Sequence, residues 1–258
     1  MPWRRDHLRL FAALLTIPLF LSLLHADATL PEEGFGDEFE SEFSAAAPAE
    51  DFDPLSGYNR VMTVCNDAVY IHVIFPVARG YEAVIPEEGR KAVQRFFANL
   101  HTPVRVVNNV LQLKFRNAAE ELGRFTVNTT LGIGGLFDPA YTWLNLSSHP
   151  EDFGQTLGYY GVGSGFHIVL PLLGPSNLRD TVGLVSDSYI DFGLNYYEDR
   201  GLNLLDTLDH TYALESLEYL NKSSLTYAQY ESLKKDALDL YPFLKQIYEQ
   251  SRSKAIEE

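Results

Sequence analysis

The chain has 258 residues, of which 46% are hydrophobic, and a formal net charge of −15. This length and composition suit one large folded domain or two small ones and exclude disorder throughout the chain. The excess of 35 acidic over 20 basic side chains excludes a protein that binds nucleic acid through the phosphate backbone, because such proteins need a basic surface.

The N-terminus has the pattern of a secretory signal. Three arginines within the first nine residues precede an apolar run, 10–24, and small residues follow at Ala26 and Ala28. This order predicts a cleavable signal over residues 1–28. The alternative, an uncleaved membrane helix, is disfavoured because the apolar run is short for a span. No later apolar run reaches spanning length, so we expect an exported protein without a further spanning helix.

Acidic residues dominate the segment after this signal. The stretch 29–53 contains nine Asp or Glu and neither Lys nor Arg, mixed with Ala, Gly and Pro. This composition is typical of a flexible linker, which we place at 29–52. We expect the folded part to begin at Asp53-Pro54, since Asp is a favoured N-cap and Pro is tolerated in a first helical turn.

Apolar residues then recur at helical spacing through most of the chain, and almost no stretch alternates as a strand does. This pattern predicts a mostly all-α protein with a small Gly-rich hairpin or loop. Further helix starts are predicted near Pro86 and at Asp138-Pro139. The clearest helical segments are 61–72, 93–100, 115–125 and 178–190.

A last amphipathic helix is predicted over 226–258, after a helical core over 53–225. Thr226 and Gln229 have the spacing of a capping box, which predicts the start of this helix. Pro242 is expected to kink it, because proline cannot donate the backbone hydrogen bond and clashes with the preceding turn.

The apolar stripes of these helices have two interpretations. Packing into a soluble core is the more usual one, and attachment to a membrane surface is the other, but periodicity alone does not separate them. Cys65, the one cysteine of the sequence, lies on such a stripe. We therefore expect a buried, unreactive thiol and no intramolecular disulfide.

Motifs of nucleotide-binding and hydrolytic proteins are incomplete. The glycine pairs Gly132/Gly134 and Gly161/Gly163 both lack the third glycine of a dinucleotide-binding loop. Ser164 lies one position late for a nucleophile elbow. It would form a hydrolase triad with His167 and Asp180 only if folding brought all three together.

A group of acidic residues with one histidine has the chemistry of metal ligands. Acidic residues at this spacing usually form a solvated helix face, so no metal site is predicted. The residues concerned are Asp187, Asp191, Asp206, Asp209 and His210.

The sequence also contains ordered blocks of motif residues, at 53–60, 75–81, 124–138, 152–158, 161–163 and 170–180. In this order they resemble the MlaA (VacJ) family of outer-membrane lipid-asymmetry proteins. The resemblance extends from Asp53 to Asp187, and the rest of the chain is only loosely similar. The motif residues that carry it are Asp53, Pro54, Leu55, Gly57, Asn59, Arg60, Asp152, Phe153, Gly154, Gln155, Gly158, Gly161, Gly163, Pro171, Gly174, Arg179 and Asp180.

The resemblance implies a ring-like bundle of amphipathic helices in the inner leaflet of the outer membrane, with an amphipathic channel through it. Such proteins remove mislocalised phospholipids from the outer leaflet and pass them to a periplasmic carrier, MlaC. Family members bind trimeric porins, and the resemblance implies neither a catalytic residue nor a cofactor. It also implies a gating loop beside the channel, formed by Leu131, Gly132, Ile133, Gly134, Gly135, Leu136 and Phe137. A passive glycine connector is the alternative role for this loop.

One departure concerns the anchor. Family members are usually acylated on a cysteine at the signal cleavage site, and residues 21–30 contain none. Retention by the apolar perimeter of the helices or by a porin is the expectation, and a soluble periplasmic variant is the alternative. Two other functions stay open, an envelope structural or adhesion protein and, with less support, a phospholipase that uses Ser164.

Overall fold

The computed structural model describes residues 53–190 and 208–257, and side chains from 53 to 190 and from 213 to 257. These residues are mostly helical, as predicted, and the helices come in the following order. They are α1 (Ser56–Val69), α2 (Phe75–Val84), α3 (Glu87–Leu100), α4 (Thr102–Leu111), α5 (Phe115–Thr130), α6 (Pro139–Leu144), α7 (Phe153–Tyr159), α8 (Leu178–Ile190), α9 (Leu208–Asp236) and α10 (Leu240–Glu257).

A π-helical turn, Tyr70–Ile74, joins α1 to α2 without a break in the helix. Here the amide of Phe75 donates to the carbonyl of Tyr70. The wider turn precedes Pro76, whose ring would otherwise clash with the carbonyl four residues earlier. The combined helix, Ser56–Val84, is by length and composition apolar enough to cross a membrane, and only 22% of its most apolar window is buried. The prediction that no later segment reaches spanning length is therefore wrong, because the helix continues through the proline.

The small hairpin consists of β1 (His167–Leu170) and β2 (Gly174–Asn177), which pair antiparallel with His167 opposite Asn177. It follows the second glycine group, whereas the predicted gating loop contains turns only. Asn59 and Asn66, two turns apart on α1, bind the backbone of β1 and of the turn that follows it. Asn59 Oδ1 accepts from the Val169 amide at 2.8 Å, and Asn66 Nδ2 donates to the Leu170 carbonyl at 2.9 Å.

Most of the helices pack in neighbouring pairs. Helix α9 packs on α2 and α3, α4 packs on α5, and α7 packs on α8. Helix α10 contacts α1, α7 and β2. The C-terminal helix thereby joins the first helix of the fold to the motif-bearing helices α7 and α8.

Three predicted helix features are confirmed and three are wrong. Helix α3 begins at Glu87, directly after Pro86, and α8 has the predicted bounds. The Asp138 side chain caps α6 by accepting from the Tyr141 amide. In contrast, the N-cap of α1 is Leu55, because the carboxylate of Asp53 contacts Asn59 and Tyr241 instead of an orphan amide.

The other two corrections concern the C-terminal segment. Helix α9 continues through residue 226, and the Thr226 hydroxyl donates to the carbonyl of Lys222 within it. The predicted helix start is therefore wrong. Residues 237–239 are not helical and separate α9 from α10. Pro242 therefore lies in the first turn of α10, where it causes no kink.

Some predictions fall outside the described residues. These are the signal at 1–28, the linker at 29–52, and the acidic residues Asp191 and Asp206. Asp209 and His210 lie in α9, but their side chains are also outside the described part.

The distribution of polar and apolar side chains is inverted relative to a soluble protein. Among the described residues, 21 polar or charged side chains are buried and only eight apolar ones, while 30 large apolar side chains are exposed. Apolar residues normally dominate the buried set.

Cys65 is exposed with the stripe that carries it, so its predicted burial is wrong. Its neighbour Val64 is 68% exposed.

Candidate functional site

The crossing of α7 and α8 brings two of the motif blocks together. A Cβ on Gly183 would lie 2.4 Å from the backbone nitrogen of Gly154, and a Cβ on Gly154 would lie 2.4 Å from Asp180 Oδ1. Glycine is required here because the two helix backbones touch. Gly158 faces α10, where a Cβ would lie 2.6 Å from the end of the flexible Ile256 side chain and not from backbone.

Asp180 is the centre of the polar network at this crossing. Arg252 donates to both of its oxygens, at 2.9 and 3.0 Å, and Arg179 Nε donates to Oδ1 at 2.9 Å. Tyr248 and Asn177 donate to Oδ2 at 2.7 and 2.8 Å. Burial alone would raise the pKa of Asp180, but the hydrogen bonds from Arg179, Arg252 and Tyr248 outweigh it and hold this pKa below its usual value.

Arg252 also forms a bidentate pair with Asp152, at 2.7 and 2.8 Å. Asp152 caps α7 in a capping box with Gln155, since the Gln155 amide donates to Asp152 Oδ1 and the Asp152 amide donates to Gln155 Oε1. One guanidinium from α10 therefore joins the start of α7 to the start of α8. This network assigns Asp152, Gln155, Arg179 and Asp180 a structural role.

The lowered pKa of Asp180 predicts a contribution to acid sensitivity. As the pH falls below about 3.8, the unfolded chain takes up a proton on Asp180 before the folded chain does, so this contribution to stability is present above 3.8 and is lost below it. We expect the stability difference between the natural chain and Asp180→Asn to shrink as the pH falls through and below 3.8. Urea unfolding at a series of pH values measures it, and a difference independent of pH would contradict the assignment.

A second polar network lies between α4, α7 and α8. The hydroxyl of Thr156 donates to Asn108 Oδ1 at 2.9 Å, and Asn108 Nδ2 donates to Asp187 Oδ1 at 2.8 Å. The Gln112 amide donates to Glu151 at 2.8 Å. Burial raises the pKa of Asp187, although the Phe153 amide and Asn108 donate to it.

These buried polar groups are almost all paired. In the described chain, only three buried side-chain nitrogen or oxygen atoms lack a hydrogen-bond partner, namely Arg90 Nε, Asn109 Oδ1 and His167 Nε2. Even the fully buried Glu121 accepts from Arg105 at 2.9 Å and from Ser148 at 3.0 Å. Such pairing lets a helical body keep a polar interior, because an unpaired buried polar group is costly.

The predicted gating loop, 131–137, has a tightly shaped backbone. Ile133, Gly134 and Gly135 have consecutive positive φ values of 54°, 70° and 99°. A Cβ on Gly135 would lie 2.5 Å from Asn99 Cβ, and a Cβ on Gly132 would lie 2.5 Å from the carbonyl oxygens of Asn128 and Phe137. Both glycines are therefore required by close contact.

Two side chains of α3 hold this loop. Arg95 Nε donates to the Leu136 carbonyl at 3.0 Å, and Asn99 Nδ2 donates to the Gly134 carbonyl at 3.2 Å. Three of the four apolar side chains of the loop are exposed. Leu131, Ile133 and Phe137 are each more than half exposed.

Asp138 fixes the end of the loop. Its Oδ2 accepts from Arg124 at 2.7 Å, and its Oδ1 accepts from Asn128 at 2.9 Å and from the Tyr141 amide at 3.1 Å. Burial would raise the pKa of Asp138, but the Arg124 and Asn128 hydrogen bonds outweigh it and lower this pKa. Asp138 is thus ionised and paired at neutral pH.

A cavity of about 560 Å³ lies beside the loop. Its lining combines one arginine of α3, two apolar residues of the loop and aromatic residues of α6. The lining residues are Arg95, Leu131, Phe137, Asp138, Pro139, Tyr141, Thr142 and Trp143. The cavity is partly open to solvent, and its lining combines apolar and aromatic side chains with one guanidinium and one carboxylate.

The remaining motif residues lie away from this cavity. Asn59 holds the hairpin, Arg60 pairs with Asp239, and Pro171 lies in the turn between the strands. Gly174 has a φ of 85° at the start of β2. Gly57, Gly161 and Gly163 have open space where a Cβ would be, so contact does not explain these glycines. Pro54 and Leu55 precede α1.

The structure does not form the hydrolase triad. His167 Nδ1 contacts Glu249 at 3.0 Å, and the Asp180 carboxylate is bound by arginines, a tyrosine and an asparagine. The Ser164 hydroxyl contacts the carbonyl of Gly165. Within residues 53–190 and 208–257, no group of three His, Cys, Asp or Glu side chains has the arrangement of a metal site.

Sequence reasoning missed several residues of these sites, among them Arg252, Tyr248 and Arg95. Arg252 and Tyr248 belong to the C-terminal segment, which resembles the family only loosely, and Arg95 belongs to no motif block. A usable sequence signal existed on α1 and on α4, where Asn108 and Asn109 are buried amides. Asn59, Thr63 and Asn66 repeat at helical spacing without a charged residue among them, which is unusual for a solvated face.

Several known proteins are similar to this chain. An uncharacterised protein of Rickettsia prowazekii is 37% identical over 155 residues, which cover 60% of this chain and 61% of that protein. An uncharacterised protein of Rickettsia typhi is 35% identical over 68% of this chain and 71% of its own. The intermembrane phospholipid transport system lipoprotein MlaA of Escherichia coli is 36% identical over 53% of this chain and 56% of its own.

A solved structure has the same fold. That structure concerns the structural basis for maintenance of bacterial outer membrane lipid asymmetry. The present chain matches it with a TM-score of 0.66 and 27% sequence identity. The match covers 79% of this chain and 98% of that one.

Fold and site together define a helical protein with a paired polar interior, an apolar exterior and a glycine loop beside a cavity. The sequence model of the MlaA lipoprotein family matches residues 51–255. The chain belongs to this family, as its motif blocks predicted.

Proposed function

We propose that this protein transports phospholipids between the membranes of a Gram-negative envelope and so maintains outer-membrane lipid asymmetry. The proposal extends to this chain the activity for which its Escherichia coli relative is named. In it, the helices lie in the inner leaflet of the outer membrane as a ring, and phospholipids from the outer leaflet pass through its centre. A charged head group resists crossing hydrocarbon, so a path with polar lining lowers the barrier.

The inverted distribution of side chains is the observation that carries this proposal. Thirty large apolar side chains are exposed in the described residues while the buried set is mainly polar. Water does not stabilise such an exterior, whereas the hydrocarbon of a bilayer does. Helices suit this setting because their backbone hydrogen bonds are internal.

The experiment deletes the gene in its own bacterium and measures phospholipid in the outer leaflet. A membrane-impermeant amine reagent labels aminophospholipids there, and the labelled fraction should rise severalfold and return to normal when the gene is restored on a plasmid. We also expect a weaker barrier to detergent with chelator. An unchanged labelled fraction would rule the function out.

In this proposal, residues 131–137 act as the gate. The consecutive positive φ values and the contacts to Arg95 and Asn99 hold the loop in one position beside the cavity. Movement of the loop would require release of the hydrogen bonds that Arg95 and Asn99 donate to its carbonyls. The signal at 1–28 and the linker at 29–52 stay part of the proposal, whereas the predicted boundary between a core at 53–225 and a C-terminal part at 226–258 falls inside α9.

Gly135→Ala should disable the gate while the rest of the protein stays folded. The added Cβ would meet Asn99 Cβ at 2.5 Å at a positive φ, so the loop must leave its position. We expect loss of most complementation in the deletion strain, with a stability cost of about 1–3 kcal/mol. Gly161→Ala is the matched control, because it has a φ of 82° but no atom within 4 Å. Equal activity of the two variants would contradict the gating role.

We further propose that a soluble periplasmic carrier similar to MlaC receives the lipid and that a trimeric porin binds the perimeter of the helices. No catalytic residue and no cofactor enters this function. The rival function, an envelope adhesion protein, requires exposure at the cell surface. Protease added to intact cells should leave the protein uncut, and cleavage would favour the rival.

A further inference from the structure

We propose that Arg95 binds the phosphodiester of a phospholipid head group in the cavity beside the glycine loop. This inference rests on the proposed transport function and names the site where the lipid is recognised. It is carried by the charge balance of the arginines, by the lining of the cavity and by the contact between Arg95 and the loop.

Arg95 differs from the other arginines in its charge environment. Within the described parts of the chain, every other arginine has a carboxylate oxygen within 4 Å, whereas Arg95 has none. Its Nε donates to the Leu136 carbonyl, a neutral acceptor. A guanidinium next to a cavity without a carboxylate partner is suited to a phosphate, which it can bind through two parallel hydrogen bonds.

The cavity as a whole favours an anion. Asp138 is the other charged residue of the lining, and Arg124 neutralises it at 2.7 Å. The positive charge of Arg95 is therefore not cancelled within the described lining. In a partly enclosed space this charge attracts an anion more strongly than it would in bulk water.

The walls of the cavity fit the rest of a phospholipid. Leu131 and Phe137 come from the loop, and Tyr141 and Trp143 come from α6. All four are more than half exposed and would contact acyl chains or the glycerol region. Since Arg95 lines the cavity and also donates to the loop carbonyl, the head-group site and the observed position of the loop share one side chain.

The fluorescence of Trp143 reports lipid binding directly. The sequence has two tryptophans, Trp3 and Trp143, so the full chain with Trp3→Phe reports only the cavity. We expect a phosphatidylglycerol with brominated acyl chains, added in micelles, to quench Trp143 saturably. It should do so at least tenfold more tightly than brominated diacylglycerol with the same chains, because the latter lacks the phosphate.

Arg95→Gln should weaken phosphatidylglycerol about tenfold or more and leave diacylglycerol unchanged. Arg95→Lys, which keeps the charge but loses the planar fork, should weaken it less. Arg116→Gln is the control, since the Arg116 side chain is 90% exposed and pairs with Glu120. Inorganic phosphate at millimolar concentration should not displace the lipid, and displacement would assign the site to free phosphate and overturn the proposal.

Equal affinity for phosphatidylglycerol and diacylglycerol in the chain that keeps Arg95 would by itself overturn the proposal. So would unchanged binding by a folded Arg95→Gln chain. Failure of this inference is distinct from failure of the transport function. Deletion of the gene tests transport alone, and the quenching assay tests recognition of the head group alone.

Discussion

Asp180→Ala is expected to lower the free energy of unfolding by about 3–5 kcal/mol, the usual cost of removing one partner of a buried ion pair. The substitution removes the acceptor of Arg179, Arg252 and Tyr248 at once. It also leaves two guanidinium groups, both largely buried, without their shared carboxylate. Because α10 is joined to α7 and α8 through this group, the C-terminal helix should separate early in unfolding.

Thermal unfolding in detergent micelles, followed by circular dichroism, measures this effect. A domain total of 5–15 kcal/mol means that such a loss removes a large fraction of the stability. Glu231→Ala is the matched control, because its pair with Arg79 is exposed and should contribute less than about 1 kcal/mol. Similar effects of the two substitutions would contradict the central role of Asp180.

Gly183→Ala is expected to cost about 3 kcal/mol, although alanine is the better helix former by roughly 1 kcal/mol. The new methyl group would lie 2.4 Å from the Gly154 nitrogen and 2.8 Å from its Cα. Backbone atoms cannot move aside as a flexible side chain can, so α7 and α8 must separate.

Gly80→Ala is the control for this prediction. Gly80 lies in α2 with no atom within 4 Å of an added Cβ, so the substitution should be neutral or stabilise by roughly 0.5–1 kcal/mol. Chemical denaturation of both variants measures the change in the free energy of unfolding. A neutral Gly183→Ala would show that the helices do not touch at this point.

Local sequence signals predicted the elements that depend on local chemistry. The bounds of α8, the start of α3 after Pro86 and the cap at Asp138 follow from spacing and from the chemistry of the first helical turn. The motif blocks predicted the family, and the match to residues 51–255 confirms it.

Features that depend on distant contacts were not predictable in this way. Asp53 fails as an N-cap because Tyr241 and Lys245, which are 188 and 192 residues later, bind its carboxylate. Helical periodicity identifies an apolar face but not the medium that it contacts, so Cys65 was placed inside. The uncharged amides on α1 and α4 were the one local indication that the polar faces are buried.

The central claim is that hydrocarbon, and not water, surrounds the apolar exterior. Cys65 can test it without any substitution because it is the only cysteine of the sequence. It is exposed on α1, next to Val64. An environment-sensitive fluorophore is attached to Cys65, and the full chain is placed in phospholipid vesicles. We predict quenching by nitroxide groups on the acyl chains and little quenching by iodide in the water. Strong quenching by iodide with none by the lipid nitroxide would contradict the account.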